Sequence, residues 1–207
     1  MTRHLGPRAA LLTFATMLGI APAFAHHVMG GRTPATFVEG ILSGLGHPII
    51  GIDHLAFLVA VGVSVGVSRL NLATPAIFVM ASALGVAIHV QGVAIPGSEP
   101  IVAASVVLIG GLLARGTALA PFAWAGLFAL AGAFHGYTFG ESIYGAETMP
   151  LTAYLLGLMA IQTVLATGLA YAVRFHGVGM VSMAPRLTGA AIVGVGLAIF
   201  ARQVLSG

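Results

Sequence analysis

The sequence predicts an all-α fold, a polytopic membrane helix bundle of about six transmembrane helices behind a cleavable signal peptide. Three observations lead there: an apolar, almost uncharged composition, a succession of apolar stretches near spanning length, and an export signal at the N-terminus. Hydrophobic residues make up 58% of the chain and charged residues 6%, and the mean hydropathy is +1.05. A water-soluble domain of 207 residues has too little interior to hide that much apolar surface. The bilayer is therefore the expected solvent.

The export signal has the usual three parts. Arg3 and Arg8 supply the positive region, Ala9 to Ile20 the apolar run, and Ala23-Phe24-Ala25 the small-x-small cleavage pattern. The apolar run is shorter than the ~20 residues that a spanning helix requires. Residues 1–25 are thus expected to leave as the signal peptide, so that the mature chain begins with His26-His27 outside the membrane. Residues 26–46 read as an outer, periplasmic segment. Within it, Thr36 to Leu45 places Phe37, Ile41, Leu42 and Leu45 on one helical face, and this short piece reads as an interfacial or re-entrant helix. Residues 47–207 form the transmembrane bundle.

Six apolar stretches fill that bundle, near residues 48–68, 70–95, 100–114, 119–139, 149–173 and 187–205. Breakers punctuate them, among them Asn71, Pro75, Pro96-Gly97, Gly116, Gly145 and the run from Gly177 to Pro185. Orientation follows from charge. With the N-terminus outside, the loops after the first, third and fifth stretches are cytoplasmic, and they hold Arg69, Arg115, Arg174 and Arg186 with no acid. Glu39, Glu99, Glu141 and Glu147 fall on the outer side. The pairs Gly40/Gly44, Gly62/Gly66 and Gly132/Gly136 have the spacing that lets membrane helices approach closely. A 3+3 inverted repeat would suit the arrangement.

Composition also excludes partners. The chain has no cysteine, so disulfides, thiolate metal sites and cysteine nucleophiles are ruled out. Its basic residues are all arginine and lie singly rather than in a stripe, which argues against a nucleic-acid partner. Without lysine there is no phosphate-binding loop of the Lys-Ser/Thr kind, so any energy must come from a gradient, the membrane potential or a partner protein.

Chemistry concentrates in two motifs. The first is Gly46-His47-Pro48-Ile49-Ile50-Gly51-Ile52-Asp53-His54, in which Pro48 is expected to open a helix. The second is Phe134-His135-Gly136-Tyr137-Thr138-Phe139-Gly140-Glu141. Each sets an acid six residues after a histidine. The first opens a helix running inward and the second ends one running outward, so both are expected in the outer half of one bundle. His89 and Gln91 join that layer from the second stretch. Ionisable groups at such depth are expensive and usually functional. Imidazole with carboxylate is a ligand set for divalent zinc, nickel, cobalt or iron. On a regular helix His47 and His54 would be ~10 Å apart, so one ion would need ligands from different helices unless Gly51 or Gly136 broke a helix. His54 and His135 are the first expected ligands, with His47, Asp53, His89 and Glu141 around them and His26 and His27 at the mouth.

On His47-Pro48, Gly51, Asp53-His54, Phe57 and Gly62, and on Phe134-His135-Gly136 through Gly140-Glu141, the chain resembles the HupE/UreJ family of bacterial membrane proteins, regarded as nickel/cobalt permeases. The resemblance implies a non-enzymatic inner-membrane permease that imports Ni²⁺ or Co²⁺. It further implies a metallochaperone or metalloenzyme-assembly partner and no cofactor beyond the transported ion. The residues alone also admit an intramembrane zinc hydrolase and a haem- or metal-binding accessory subunit.

Overall fold

The computed structural model describes residues 32–206, and every regular element among them is helical. The expected signal peptide and His26-His27 lie outside the described residues. In chain order the helices are α1 (Phe37–Ile50), α2 (Ile52–Val67), α3 (Pro75–Val90), α4 (Ser98–Arg115), α5 (Pro121–Phe139), α6 (Thr148–Phe175) and α7 (Met183–Ser206). A 3₁₀ turn, Gly140–Ile143, extends α5. Three helices, α4, α6 and α7, are each long and apolar enough to cross a membrane. The pair α1 and α2, bent by 78° at its break, makes a fourth when taken together. At 28 residues, α6 is about 42 Å long, more than a bilayer core requires.

Most boundaries have a local cause. Pro75 and Pro121 open α3 and α5, where their missing N–H groups cost nothing. Left-handed Gly97 and Gly116 flank α4. Before α1, Thr36 and Glu39 form a reciprocal capping box: the Glu39 amide donates to Thr36 Oγ1 at 3.2 Å, and the Thr36 amide to Glu39 Oε2 at 3.2 Å.

Three expectations are corrected here. The piece at residues 36–45 is longer than expected. It is the first part of α1, which runs on through Pro48 and packs along α6. Pro48 accordingly opens no helix; it sits in the last turn of α1. The structure tolerates it because only one backbone bond is lost before the helix stops. The Gly51 amide still reaches the His47 carbonyl at 3.0 Å, and the Leu55 amide starts α2 on the Gly51 carbonyl at 2.9 Å. The second stretch, expected over residues 70–95, narrows to the 16 residues of α3. An Asn71 turn and Pro75 delay its start, and left-handed Gly92 follows its end.

Glycine sets how these helices meet. Gly40 and Gly44 of α1 lie against Pro150 and Tyr154 of α6, and Gly157 of α6 lies against Ile41. Farther along, Gly62 and Gly66 of α2 lie against Ala166 and Ala170. Both series advance together, so α1 and α2 follow α6 in the same chain direction, one after the other, across the 78° bend. On α5, Gly132 and Gly136 lie against Phe78 and Ser82 of α3, again in parallel. Gly110 and Gly189 bring α4 and α7 together, with Gly196 against Ala103 and Val107, and this pair is antiparallel. All three glycine pairs read from the sequence are contact points. In lipid, where no hydrophobic force drives helices together, such backbone-close contacts carry the association.

A matched substitution on α5 tests this. A Cβ at Gly136 would strike the Ser82 carbonyl, whereas one at Gly126 meets nothing within 4 Å. Gly136→Ala should lower stability by about 1–3 kcal/mol through overpacking. Gly126→Ala should be neutral or stabilising by up to about 1 kcal/mol. Thermal unfolding of the two variants in detergent compares them directly.

Candidate metal site

The break at Gly51 builds the site. On a continuous helix His47 and His54 would be ~10 Å apart; across the 78° bend their ring centroids are 6.0 Å apart. Gly51 itself has an ordinary negative φ, so the reason for glycine is space. A Cβ there would lie 2.6 Å from His54 Cδ2 and 3.3 Å from Asp53 Oδ1. The His54 ring folds back over the break into that gap. Asp53 stands in the first turn of α2 and accepts the His54 amide through Oδ1 at 2.9 Å, where the positive end of the helix favours an anion.

His135 arrives from the far end of α5. Its Nδ1 lies 2.8 Å from His54 Nδ1, a direct contact between the two motifs. Asp53 Oδ1 is 3.9 Å from His54 Nε2, the other ring nitrogen. All four groups are buried: His135 is 0% exposed, His47 3%, His54 4% and Asp53 8%. Phe139 packs on His54 at 4.2 Å and on His47 at 5.0 Å, while Phe57 packs on His135 at 4.5 Å and stacks on Phe78. This aromatic jacket keeps the dielectric low, which strengthens any charge interaction inside it.

Three hydroxyls that carried no motif in the sequence hold the histidines. Ser105 Oγ of α4 lies 3.0 Å from His135 Nε2 and donates to the Val102 carbonyl at 2.7 Å. His47 Nδ1 lies 3.0 Å from both Ser142 Oγ and Tyr154 OH. Those two hydroxyls also reach the Phe139 carbonyl, at 3.1 and 2.9 Å, and so satisfy a backbone acceptor left over at the end of α5. Ser142 has one sequence signal, since it follows Glu141 in the second motif. Ser105 and Tyr154 have none, being single hydroxyls in apolar helices.

The remaining expected residues lie apart from this contact. Glu141 is exposed on the 3₁₀ turn, and its neighbour Ser142 points inward instead. His89 is half-buried and packs against Tyr137 and Tyr144, at 4.6 and 5.8 Å, and against Gly140. Tyr137 in turn pins the loop after α3, accepting the Ile95 amide and donating to the Val93 carbonyl, both at 2.8 Å. Gly136 does not break α5; it serves the crossing with α3. Among the described residues, no three His, Asp or Glu side chains are disposed to hold one ion as they stand. The arrangement offers a compact pair, His54 with Asp53, and two further imidazoles within a ring's width of it.

The comparisons with known proteins bear on what this arrangement serves. The family profile described as HupE / UreJ protein matches residues 14–199. Protein HupE of Rhizobium leguminosarum bv. viciae is 32% identical over 184 residues, which cover 86% of this chain and 91% of that protein. No solved structure matches. Both motifs that carried the resemblance fall inside the matched region, and the chain belongs to the HupE/UreJ family.

Proposed function

We propose that this protein is an inner-membrane secondary permease that imports a divalent transition-metal ion, Ni²⁺ or Co²⁺ before others, through the His47/Asp53/His54/His135 site. The observation that carries the reading is the 2.8 Å contact between His54 and His135 beside buried Asp53, at a helix break in the bundle. Broken helices with polar residues at the break are a usual way to place an ion site inside a membrane. His26 and His27 would capture the ion at the mouth, and Glu99, Glu141, Glu147 and His89 would line its approach. An ion entering the site would exchange water for imidazole and carboxylate, with modest side-chain rotation bringing His47 to the His54–Asp53 pair. A membrane potential of 100 mV supplies about 4.6 kcal/mol for a divalent cation moving inward. A haem ligated by these histidines is disfavoured by the neighbouring Asp53 carboxylate, which suits a divalent ion.

The fold would cross the membrane six times with both mature ends outside. Helix directions support this: α2 and α6 are parallel, α3 and α5 are parallel, and α4 and α7 are antiparallel. The same pattern suits a 3+3 inverted repeat, because an axis exchanging α2 with α5, α3 with α6 and α4 with α7 reproduces every one of these pairings. Arg69, Arg115 and Arg174 follow or end the inward-running helices.

Two experiments test the proposal. His54→Ala and His135→Ala should each abolish uptake of radiolabelled Ni²⁺ or Co²⁺ at trace concentration in cells, with membrane abundance unchanged; normal uptake in both would sink it. For topology, the absence of native cysteine makes single-cysteine labelling direct. Cysteines at Glu99 or Glu147 should react with an impermeant reagent from the periplasm, and those at Ala118 or His176 only after the membrane is opened.

A further inference from the structure

Resting on the permease reading above, we infer that Gln162 and Ser82 form a second, weaker station for the ion, next in line after the histidines. Both side chains are 0% exposed, Gln162 on α6 and Ser82 on α3. The Gln162 amide donates through Nε2 to Ser82 Oγ at 3.0 Å. Its oxygen, Oε1, is buried with no partner among the described residues. An acceptor left unpaired in a low-dielectric interior costs free energy, and an apolar residue at position 162 would avoid that cost. A neutral oxygen held ready in this way suits a cation that arrives from a neighbouring site.

The neighbouring site is the histidine layer. The Ser82 backbone meets Gly136, the residue after His135, and Phe78, one turn before Ser82, packs on His135 at 5.8 Å. On α6, Gln162 follows Tyr154, whose hydroxyl meets His47 at 3.0 Å. A regular helix sets these two residues ~12 Å apart along its axis, with Gln162 the inner one in the topology proposed above. An ion leaving the imidazoles would thus meet one amide oxygen and one hydroxyl oxygen, neither of them charged. Neutral oxygens suit Ni²⁺ and Co²⁺ less well than imidazole does, so they would hold such an ion together with its water and let it go. A transport path needs weak stops of this kind, because a site that only binds tightly does not conduct.

The test pairs uptake in cells with metal binding by the full-length protein purified in detergent, with Ni²⁺ and Co²⁺ alone as probes. Gln162→Met combined with Ser82→Ala removes both partners at once, so neither is left unpaired to disturb the fold. Membrane abundance and affinity at the histidines should match wild type, while the uptake rate should fall about tenfold or more. Gln162→Glu keeps the shape and the oxygen but adds a charge. In alkaline buffer it should retain a second equivalent of Ni²⁺ per chain, and it should slow uptake as well. Wild-type uptake in both variants would make the pair a tie between α3 and α6, or a seat for buried water, and would overturn the inference. Loss of abundance in step with uptake in the double variant would assign the pair to folding and overturn it equally. Wild-type protein that neither binds nor transports either ion would instead overturn the permease reading on which the inference stands.

Discussion

A helix that breaks inside an apolar bundle leaves backbone groups that no water can satisfy, and the structure around residues 47–54 answers that constraint. Gly51 keeps its own amide on the His47 carbonyl and lends its carbonyl to Leu55, so the two helices hand over with little unpaired backbone between them. Asp53 takes the next amide. What remains at the break is a set of side chains rather than bare peptide groups, and those side chains are the candidate site. Stability and function thus meet at one residue whose only special property is lacking a Cβ.

The surrounding helices are arranged to hold that break from both sides. Along α6, α1 and α2 lie in succession, so the long helix splints the bend. At the end of α5, Phe139 contributes twice: its ring packs on both His47 and His54, and its carbonyl collects the Ser142 and Tyr154 hydroxyls. Tyr154 is itself on α6, three residues before Gly157 and its contact with Ile41. The polar network and the close-packed glycine contacts are therefore neighbours on the same helix, and loosening one should be felt by the other.

Much of this was legible in the sequence because it rests on local periodicity or on a single residue type. The glycine pairs foretold the helix contacts, and helix direction foretold that the two motifs would meet. Pro48 is an exception. A proline after Gly46-His47 looks like a helix start, but the helix begins at Phe37 under a capping box between Thr36 and Glu39. Ser105 and Tyr154 could not have been found, since a lone hydroxyl in an apolar helix looks the same whether it bonds to its own backbone or to a histidine across the bundle. Glu141 shows the opposite failure. Its spacing from His135 matched that of Asp53 from His47, yet a 3₁₀ turn rotates it outward and brings Ser142 in.

The pairing of α1 with α6 carries a further consequence for how the protein is made. Roughly 100 residues separate the two, so at about 5–20 residues per second α1 is synthesised some 5–20 s before its partner exists. Through that interval the bend at Gly51 and the histidines beside it must sit in the membrane or its insertion machinery without the helix that splints them. The site is thus among the last parts of the molecule to be completed, and a chain stalled before α6 would display its most polar segment to lipid. Quality control that recognises exposed intramembrane polar groups would find its signal there.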